Sequence, residues 1–217
     1  MTLTTNPRLW SLPDQKIILA STSQTRRQML TDCGLAFEAI AAPIDEEAIR
    51  ASAESESIPP LDIAILLAEM KARRLALQGM QDTIIGCDQI LECDGVLYGK
   101  PDTKQKAAAQ LAELTGKPHR LITATVIFQK GERVWHAHTA PELTIRRMTM
   151  LEIDAYLDAI GEAAFQSPGS YQIEGLGAQI LQKIDGDPYS ILGMPLLEVL
   201  TFLRGHGLSL ANIGGAE

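Results

Sequence analysis

The sequence lacks a long hydrophobic run, an excess of positive charge and a disulfide-like cysteine pattern. Its longest apolar stretch, residues 63–68, is far shorter than the roughly 20 residues that cross a bilayer, and residues 1–15 hold no signal-peptide core. Asp and Glu (27) outnumber Lys and Arg (19), and the resulting net charge of −8 argues against a broadly cationic surface. We therefore expect a cytoplasmic protein that binds neither nucleic acid nor membrane.

Side chains suited to a structural metal site are also scarce. Cys33, Cys87 and Cys93 form no CxxC pair, which fits a reducing compartment and favours buried thiols over zinc ligands. His136 and His138 alternate along a predicted strand, a spacing more typical of an exposed strand edge than of a metal site. Neither histidine enters the candidate site.

The composition otherwise fits a globular protein. The chain has 217 residues, 46% of them hydrophobic, enough for one large domain or two small lobes with a sizeable core. We predict a domain over residues 16–207, with an N-terminal extension at 1–15 and a C-terminal tail at 208–217.

Strand and helix patterns alternate along the chain. Strands are predicted at residues 16–20, 83–87, 90–92, 96–98, 119–129 and 133–147, with an extended stretch at 171–184. Helices are predicted at residues 24–33, from Pro60 towards Gly79, and at 103–115, 149–160 and 195–204. This interspersed order favours a mixed α/β domain.

The first candidate site is LASTSQTRR, residues 19–27, where a strand runs into hydroxyl groups and the start of a helix. Such a helix N-terminus directs backbone N–H groups at a bound anion, and Arg26 could add a forked phosphate contact. An ordinary helix cap followed by a solvated Arg-Arg pair explains the same residues.

The other candidates are isolated charged residues. Asp88 follows the predicted strand 83–87, where α/β folds commonly place catalytic carboxylates, although a turn-forming Asp fits as well. Lys100 lies on a short loop made rigid by Pro101. Glu46, in an acidic stretch after Pro43, could bind a hard cation or could belong to a solvated loop.

Together these segments resemble the Maf family of nucleoside triphosphate pyrophosphatases over nearly the whole chain, about residues 16–207. The motifs that carry the resemblance are LASTSQTRR, Glu46, Lys71 in LAEMKA, GCDQIL, YGKP, LTGKPHRLITA and SYQIEGLGAQILQKIDGDPYSILGMPLLEVL. The resemblance implies an elongated mixed β-sheet flanked by helices, with two lobes around a central cleft, and a homodimer. It also implies cleavage of a nucleoside triphosphate between its α and β phosphates, with a divalent cation required.

The resemblance assigns roles to individual residues. Phosphate contacts fall to Ser21, Ser23, Arg26, Lys71 and Lys100.

A second group of residues acts at the reacting atoms. Asp88 matches the catalytic carboxylate, which orients and deprotonates the attacking water. Glu46 and Asp88 are expected to hold Mg²⁺ or Mn²⁺, which offsets charge on the leaving pyrophosphate.

Three positions bear on the choice of base. Gln89 and Glu174 match the branch that acts on 7-methyl-GTP, whereas Thr25 matches neither that branch nor the pyrimidine triphosphate branch. A carboxylate at Glu174 can accept from guanine N1–H and N2–H₂, but Thr25 cannot stack on the ring. A substrate like 7-methyl-GTP is therefore favoured over dTTP or UTP.

Two other functions stay open at this point. The chain could be a nucleotide-binding regulator of division arrest and septum formation with little or no catalysis. A nucleotidyl transferase could also use a basic loop and an acidic strand end, although the downstream motifs do not support it. The enzyme is favoured because a pure binder of anions gains nothing from a carboxylate at Asp88.

Overall fold

The computed structural model describes residues 9–210, and strands and helices alternate along them. The strands are β1 (Trp10–Ser11), β2 (Ile17–Leu19), β3 (Glu38–Ala39), β4 (Thr83–Cys93), β5 (Val96–Tyr98), β6 (Pro118–Gln129), β7 (Glu132–Thr139), β8 (Glu142–Ile145), β9 (Leu181–Asp185) and β10 (Ser209–Leu210). The α-helices are α1 (Gln24–Asp32), α2 (Glu46–Ser55), α3 (Pro60–Ala76), α4 (Lys104–Leu114), α5 (Met150–Ile160), α6 (Pro188–Ile191) and α7 (Leu196–Gly205). Short 3₁₀ helices lie at Gly161–Phe165, Pro168–Ser170 and Leu176–Gln179.

The described residues divide into two compact units. The first comprises the described residues up to Asp88, Thr123–His138 and those from Gly193 onward. The second comprises Gln89–Ile122 and Thr139–Leu192, so β4 and β6 contribute residues to both units.

Within residues 9–210, no helix is long and apolar enough to cross a membrane. The predicted termini lie partly outside the described residues, at 1–8 and 211–217.

The first unit contains the parallel strand pairs and an antiparallel pair, β1 with β10. β2 pairs in parallel with β3 and with β4, and all three residues of β2 are buried. The side chain of Ser23 caps α1 by accepting from the backbone N–H of Arg26 at 3.3 Å. Only residues 20–23 connect the end of β2 to this capped start of α1.

The second unit is built on antiparallel pairing. β4 pairs with β5 through a hairpin whose turn residues Asp94 and Gly95 have φ of 52° and 82°, as the favoured turn dipeptide predicts. β8 pairs with both β6 and β9. Apolar residues of α4 and α5 pack with these strands into one hydrophobic core. Parallel and antiparallel pairs occur together, so the predicted fold class, α/β with a mixed sheet and flanking helices, is confirmed.

Several predicted boundaries were wrong. β4 is one strand of 11 residues rather than two strands interrupted at Asp88. The predicted strand 133–147 is divided at Pro141, which has no N–H for the ladder. The stretch 171–184 is mostly turn and 3₁₀ helix, with a strand only from Leu181. The acidic stretch at Glu46 begins a helix instead of lying in a loop.

Candidate active site

The turn between β2 and α1 brings together the hydroxyl groups and Arg26 that the LASTSQTRR segment predicts. The Ser21 Oγ accepts from the backbone N–H of Ser23 at 3.2 Å and from Arg26 Nη1 at 3.4 Å. Ser23 is the N-cap of α1, whose axis therefore starts at this turn. Backbone N–H groups of the first helical turn and the positive end of the helix dipole favour an anion here.

Arg26 is buried, and its guanidinium is fixed by the backbone. Nε donates to the carbonyl of Gly193 at 2.7 Å, and Nη1 donates to the carbonyl of Cys87 at 3.2 Å. Gly193 has φ of 104°, and a Cβ there would lie 3.0 Å from Arg26 Nε. These bonds use Nε and Nη1, so Nη2 is the guanidinium nitrogen that a phosphate would contact.

Lys71 joins two carboxylates from different elements. Its Nζ donates to Asp88 Oδ1 at 2.6 Å and lies 3.0 Å from Glu46 Oε1. The side chains of Lys71 and Asp88 are 9% and 5% exposed, whereas that of Glu46 is 46% exposed. The arrangement is therefore a buried ion pair with a third, accessible charge at its edge.

Gly86 explains how helix α3 comes close enough to form this pair. A Cβ at Gly86 would lie 2.2 Å from the carbonyl oxygen of Ala68 and 3.0 Å from the Ala72 Cβ. Ala68 and Ala72 flank Lys71 on α3, and Asp88 lies two residues after Gly86 on β4. Small residues on both elements thus permit the contact between Lys71 and Asp88.

Burial is the main cause of the shift in the pKa of Asp88. It raises the pKa of the Asp88 carboxyl above its ordinary value, and the Glu46 carboxylate acts in the same direction. The Lys71 ammonium and the Arg26 guanidinium act in the opposite direction. A carboxylate with a raised pKa is a better proton acceptor than an ordinary exposed one.

The second carboxylate oxygen of Asp88, Oδ2, is a candidate ligand for the expected cation. Asp88 Oδ2 is buried and has no hydrogen-bond partner, which is costly for a polar atom. With Glu46 it supplies oxygen donors of the type Mg²⁺ prefers, and Mg²⁺ commonly takes one or two carboxylates plus substrate phosphates. Within the described residues, no three His, Cys, Asp or Glu side chains gather as a metal site. The residues present fit a cation held partly by substrate.

Three further predicted residues, Gln89, Lys100 and Glu174, belong to the second unit. Gln89 donates through Nε2 to the carbonyls of Ser190 and Ile191. Lys100 is exposed in the loop after β5, and Glu174 is exposed in a turn before the 3₁₀ helix at Leu176–Gln179. The roles of these residues stay predictions.

The comparisons with known proteins agree with the motifs. The family model described as "Maf-like protein" matches residues 16–206. The chain belongs to the Maf family.

Individual relatives of the Maf family align over most of both chains. A protein of Paramagnetospirillum magneticum named "Nucleoside triphosphate pyrophosphatase" is 44% identical over 88% of this chain and 98% of its own. A protein of Rhodospirillum rubrum with the same name is 42% identical over 90% of this chain and 96% of its own. A protein of Rhizobium meliloti named "7-methyl-GTP pyrophosphatase" is 40% identical over 88% of this chain and 96% of its own.

The structure changes the local setting of two predicted residues in this Maf domain. Asp88 lies inside β4 and not at a strand end, because its charge is paired with Lys71 and so tolerates the buried position. Glu46 is the first residue of α2 and not part of a solvated loop, because Asp45 caps the helix by accepting from the Ala48 N–H at 3.0 Å. Thr25 lies in the first turn of α1 and is half-buried.

Two residues that shape the site were missed by the sequence reasoning. Gly86 makes room for α3, and Gly193 both accepts from Arg26 and leaves space for its guanidinium. A glycine inside an apolar strand, as in Ile85-Gly86-Cys87, signals the close approach of another element and could have identified the first. No comparable signal marked Gly193.

Proposed function

We propose that this protein hydrolyses a nucleoside triphosphate to the nucleoside monophosphate and pyrophosphate, and so keeps modified nucleotides out of nucleic acids. The observation that carries the proposal is the buried pair of Lys71 and Asp88, with Asp88 Oδ2 left without a hydrogen-bond partner. Relatives named "Nucleoside triphosphate pyrophosphatase" at 44% and 42% identity support the same activity.

The residues divide the work between binding and proton transfer. The start of α1, with Ser21, Ser23 and Arg26, binds the phosphate chain, and Lys71 neutralises charge beside it. Asp88 orients a water for attack on the α-phosphorus and accepts its proton, a role its raised pKa favours.

Two further assignments rest on the match to the family motifs. By that match, Lys100 is proposed as a second ammonium for the phosphates. Glu46 and Asp88 are the residues that would hold Mg²⁺ or Mn²⁺, which when bound offsets the negative charge that develops on the leaving pyrophosphate.

The preference for base is a finer part of the proposal. Gln89 and Glu174 match the 7-methyl-GTP branch by position, and a relative named for that substrate is 40% identical. We therefore favour 7-methyl-GTP, or a similar modified purine nucleotide, over UTP and dTTP. A homodimer and a cytoplasmic location stay predictions of the sequence.

Pyrophosphate release tests the proposal. Purified protein with Mg²⁺ or Mn²⁺ is assayed on 7-methyl-GTP, GTP, UTP, dTTP and CTP, with and without a chelator. We expect release that needs the metal and is fastest with 7-methyl-GTP. Faster turnover of UTP or dTTP would contradict the base assignment and leave the mechanism intact.

Asp88→Asn is the decisive variant for the mechanism. It removes the proton acceptor but keeps the shape, so turnover per folded molecule is expected to fall by about 10²–10⁴-fold while the folded molecules retain nucleotide binding. The matched control is Asp154→Asn, a change at an exposed carboxylate of α5. Nucleotide binding without release in the unmodified protein would contradict catalysis and support the regulator of septum formation.

A further inference from the structure

The ammonium of Lys71 lies where two carboxylates meet. Its Nζ donates to Asp88 Oδ1 at 2.6 Å and lies 3.0 Å from Glu46 Oε1. The same two carboxylates are the groups proposed above to hold a divalent cation. An ammonium is a compact point charge, and Mg²⁺ also takes carboxylate oxygens, so the two draw on the same ligands.

The formal charges at this site balance without a divalent cation. Lys71 and Arg26 carry one positive charge each, and the Arg26 guanidinium acts to lower the pKa of the Asp88 carboxyl. The carboxylates of Asp88 and Glu46 carry one negative charge each. A divalent cation added alone therefore leaves two uncompensated positive charges at the site, and like charges this close repel strongly.

Burial strengthens this repulsion. The side chains of Lys71 and Asp88 are 9% and 5% exposed, and Asp88 Oδ2 has no hydrogen-bond partner among the described residues. Little water is available there to solvate a second cation beside the ammonium. Because Gly86 lets α3 pack closely on β4, the Lys71 backbone is held in place, and only its side chain can turn away.

A nucleoside triphosphate removes the obstacle. Its phosphates bring several negative charges to the start of α1, where Arg26 is already fixed by backbone carbonyls. They give the Lys71 ammonium anionic partners in place of the two carboxylates. They also supply oxygens to a divalent cation, which commonly binds through one or two carboxylates and substrate phosphates together.

We propose that Lys71 occupies the cation site in the free protein and releases the two carboxylates only when substrate phosphates arrive, so that the divalent cation and the nucleotide bind together. The inference rests on the proposed function and concerns the order of binding at the same site. By thermodynamic linkage, each of the two ligands raises the affinity for the other by the same factor. The free protein therefore holds Mn²⁺ weakly.

Mn²⁺ binding to the protein without nucleotide tests the proposal, with the free ion followed by electron paramagnetic resonance. Lys71→Met removes the ammonium and keeps an unbranched side chain, so it is expected to bind Mn²⁺ at least about tenfold more tightly than wild type. Adding Asp88→Asn to that variant is expected to abolish the gain. The matched control is Lys16→Met, because Lys16 pairs with Glu38 at 2.9 Å on an exposed surface. It is expected to leave Mn²⁺ binding unchanged.

Thermal unfolding gives a second readout on the same proteins. A ligand that binds only the folded state raises Tm, so Mn²⁺ is expected to raise the Tm of Lys71→Met by more than that of wild type. A merely structural role of Lys71 would lower Tm without creating this response to Mn²⁺. Lys71→Gln can still donate a hydrogen bond to Asp88, and it replaces Lys71→Met if the latter does not fold.

The outcomes separate this inference from the proposed function. Equal Mn²⁺ affinity in wild type and the Lys71 variant overturns the inference alone, as does an equal gain in Lys16→Met. A wild-type protein that releases no pyrophosphate from any nucleotide overturns the proposed function. The Mn²⁺ comparison uses no nucleotide, so its result stands apart from that assay.

Discussion

At the scale of single residues, the buried ion pair of Lys71 and Asp88 is the feature most sensitive to substitution. Two charges taken out of water are stabilised only while they are paired, and removing one partner leaves the other buried without compensation. Glu46, at 3.0 Å from Lys71 Nζ, is too exposed to replace Asp88 as a buried partner.

We expect Lys71→Met to lower the free energy of unfolding by about 3–5 kcal/mol, because it leaves the Asp88 carboxylate buried and unpaired. Asp88→Asn added to that variant is expected to restore part of the loss, because the uncompensated charge is gone. Urea unfolding of both variants checks this. A double variant less stable than Lys71→Met would show that Asp88 contributes something other than its charge.

The residues of this pair were easier to identify from the sequence than their setting. Asp88 stood out because it follows a run of apolar residues, and Lys71 was identified through the resemblance of LAEMKA to the Maf family. What the sequence could not reveal is that each makes the other's burial possible. That depends on α3 approaching β4, a contact between segments far apart in the chain.

At the scale of elements, the packing of α3 on β4 depends on Gly86, which has no side chain. Gly86→Ala would place a methyl group 2.2 Å from the Ala68 carbonyl oxygen, so the helix must move away from the strand. We expect a loss of stability of about 2 kcal/mol or more, together with a loss of turnover, because Lys71 moves with the helix.

The matched control for this change is Gly205→Ala. Gly205 ends α7, and a Cβ there would meet no atom within 4 Å. This control is expected to be neutral or slightly stabilising, since alanine favours a helix. Thermal unfolding and pyrophosphate release measured on both variants check the pair, and similar losses in the two would refute the packing argument.

Elements with local signals were predicted well, and elements fixed by distant contacts were not. α1, α4 and α5 begin at side chains that cap them, Ser23, Thr103 and Thr149, and these caps are visible in the sequence. α2 carries a similar signal at Asp45, but its sparse apolar residues hid the helical period. β4 was divided wrongly because polar residues in mid-strand imitate a turn.

At the scale of the whole molecule, we expect part of the stability at acid pH to depend on a buried histidine outside the candidate site. His119 is 2% exposed, and its Nε2 lies 2.6 Å from the hydroxyl of buried Tyr171. Burial lowers the pKa of His119 to about 4, because a charged imidazolium is poorly solvated there. The fold therefore favours the neutral ring.

The lowered pKa of His119 makes the folded protein less stable as the pH falls. A group whose pKa falls on folding binds more protons in the unfolded chain between its two pKa values, so stability decreases as the pH falls from about 6.5 to about 4. The loss assigned to His119 is about 3 kcal/mol. We expect His119→Gln to remove this part of the slope in urea unfolding measured over that range. His136→Gln, at an exposed ring, is the control, and equal slopes in all three proteins would contradict the assignment.

The fully buried thiol of Cys87, next to Asp88 in β4, gives the molecule an internal probe of motion. Its side chain is 0% exposed, and burial raises the pKa of the thiol, so an alkylating reagent can reach a reactive thiolate only when the surrounding structure opens. Cys33 is partly accessible and provides a reference in the same experiment. The labelling rate of Cys87 relative to Cys33 therefore measures how often β4 is uncovered, and a nucleotide bound at the proposed site should slow the labelling in proportion to its occupancy.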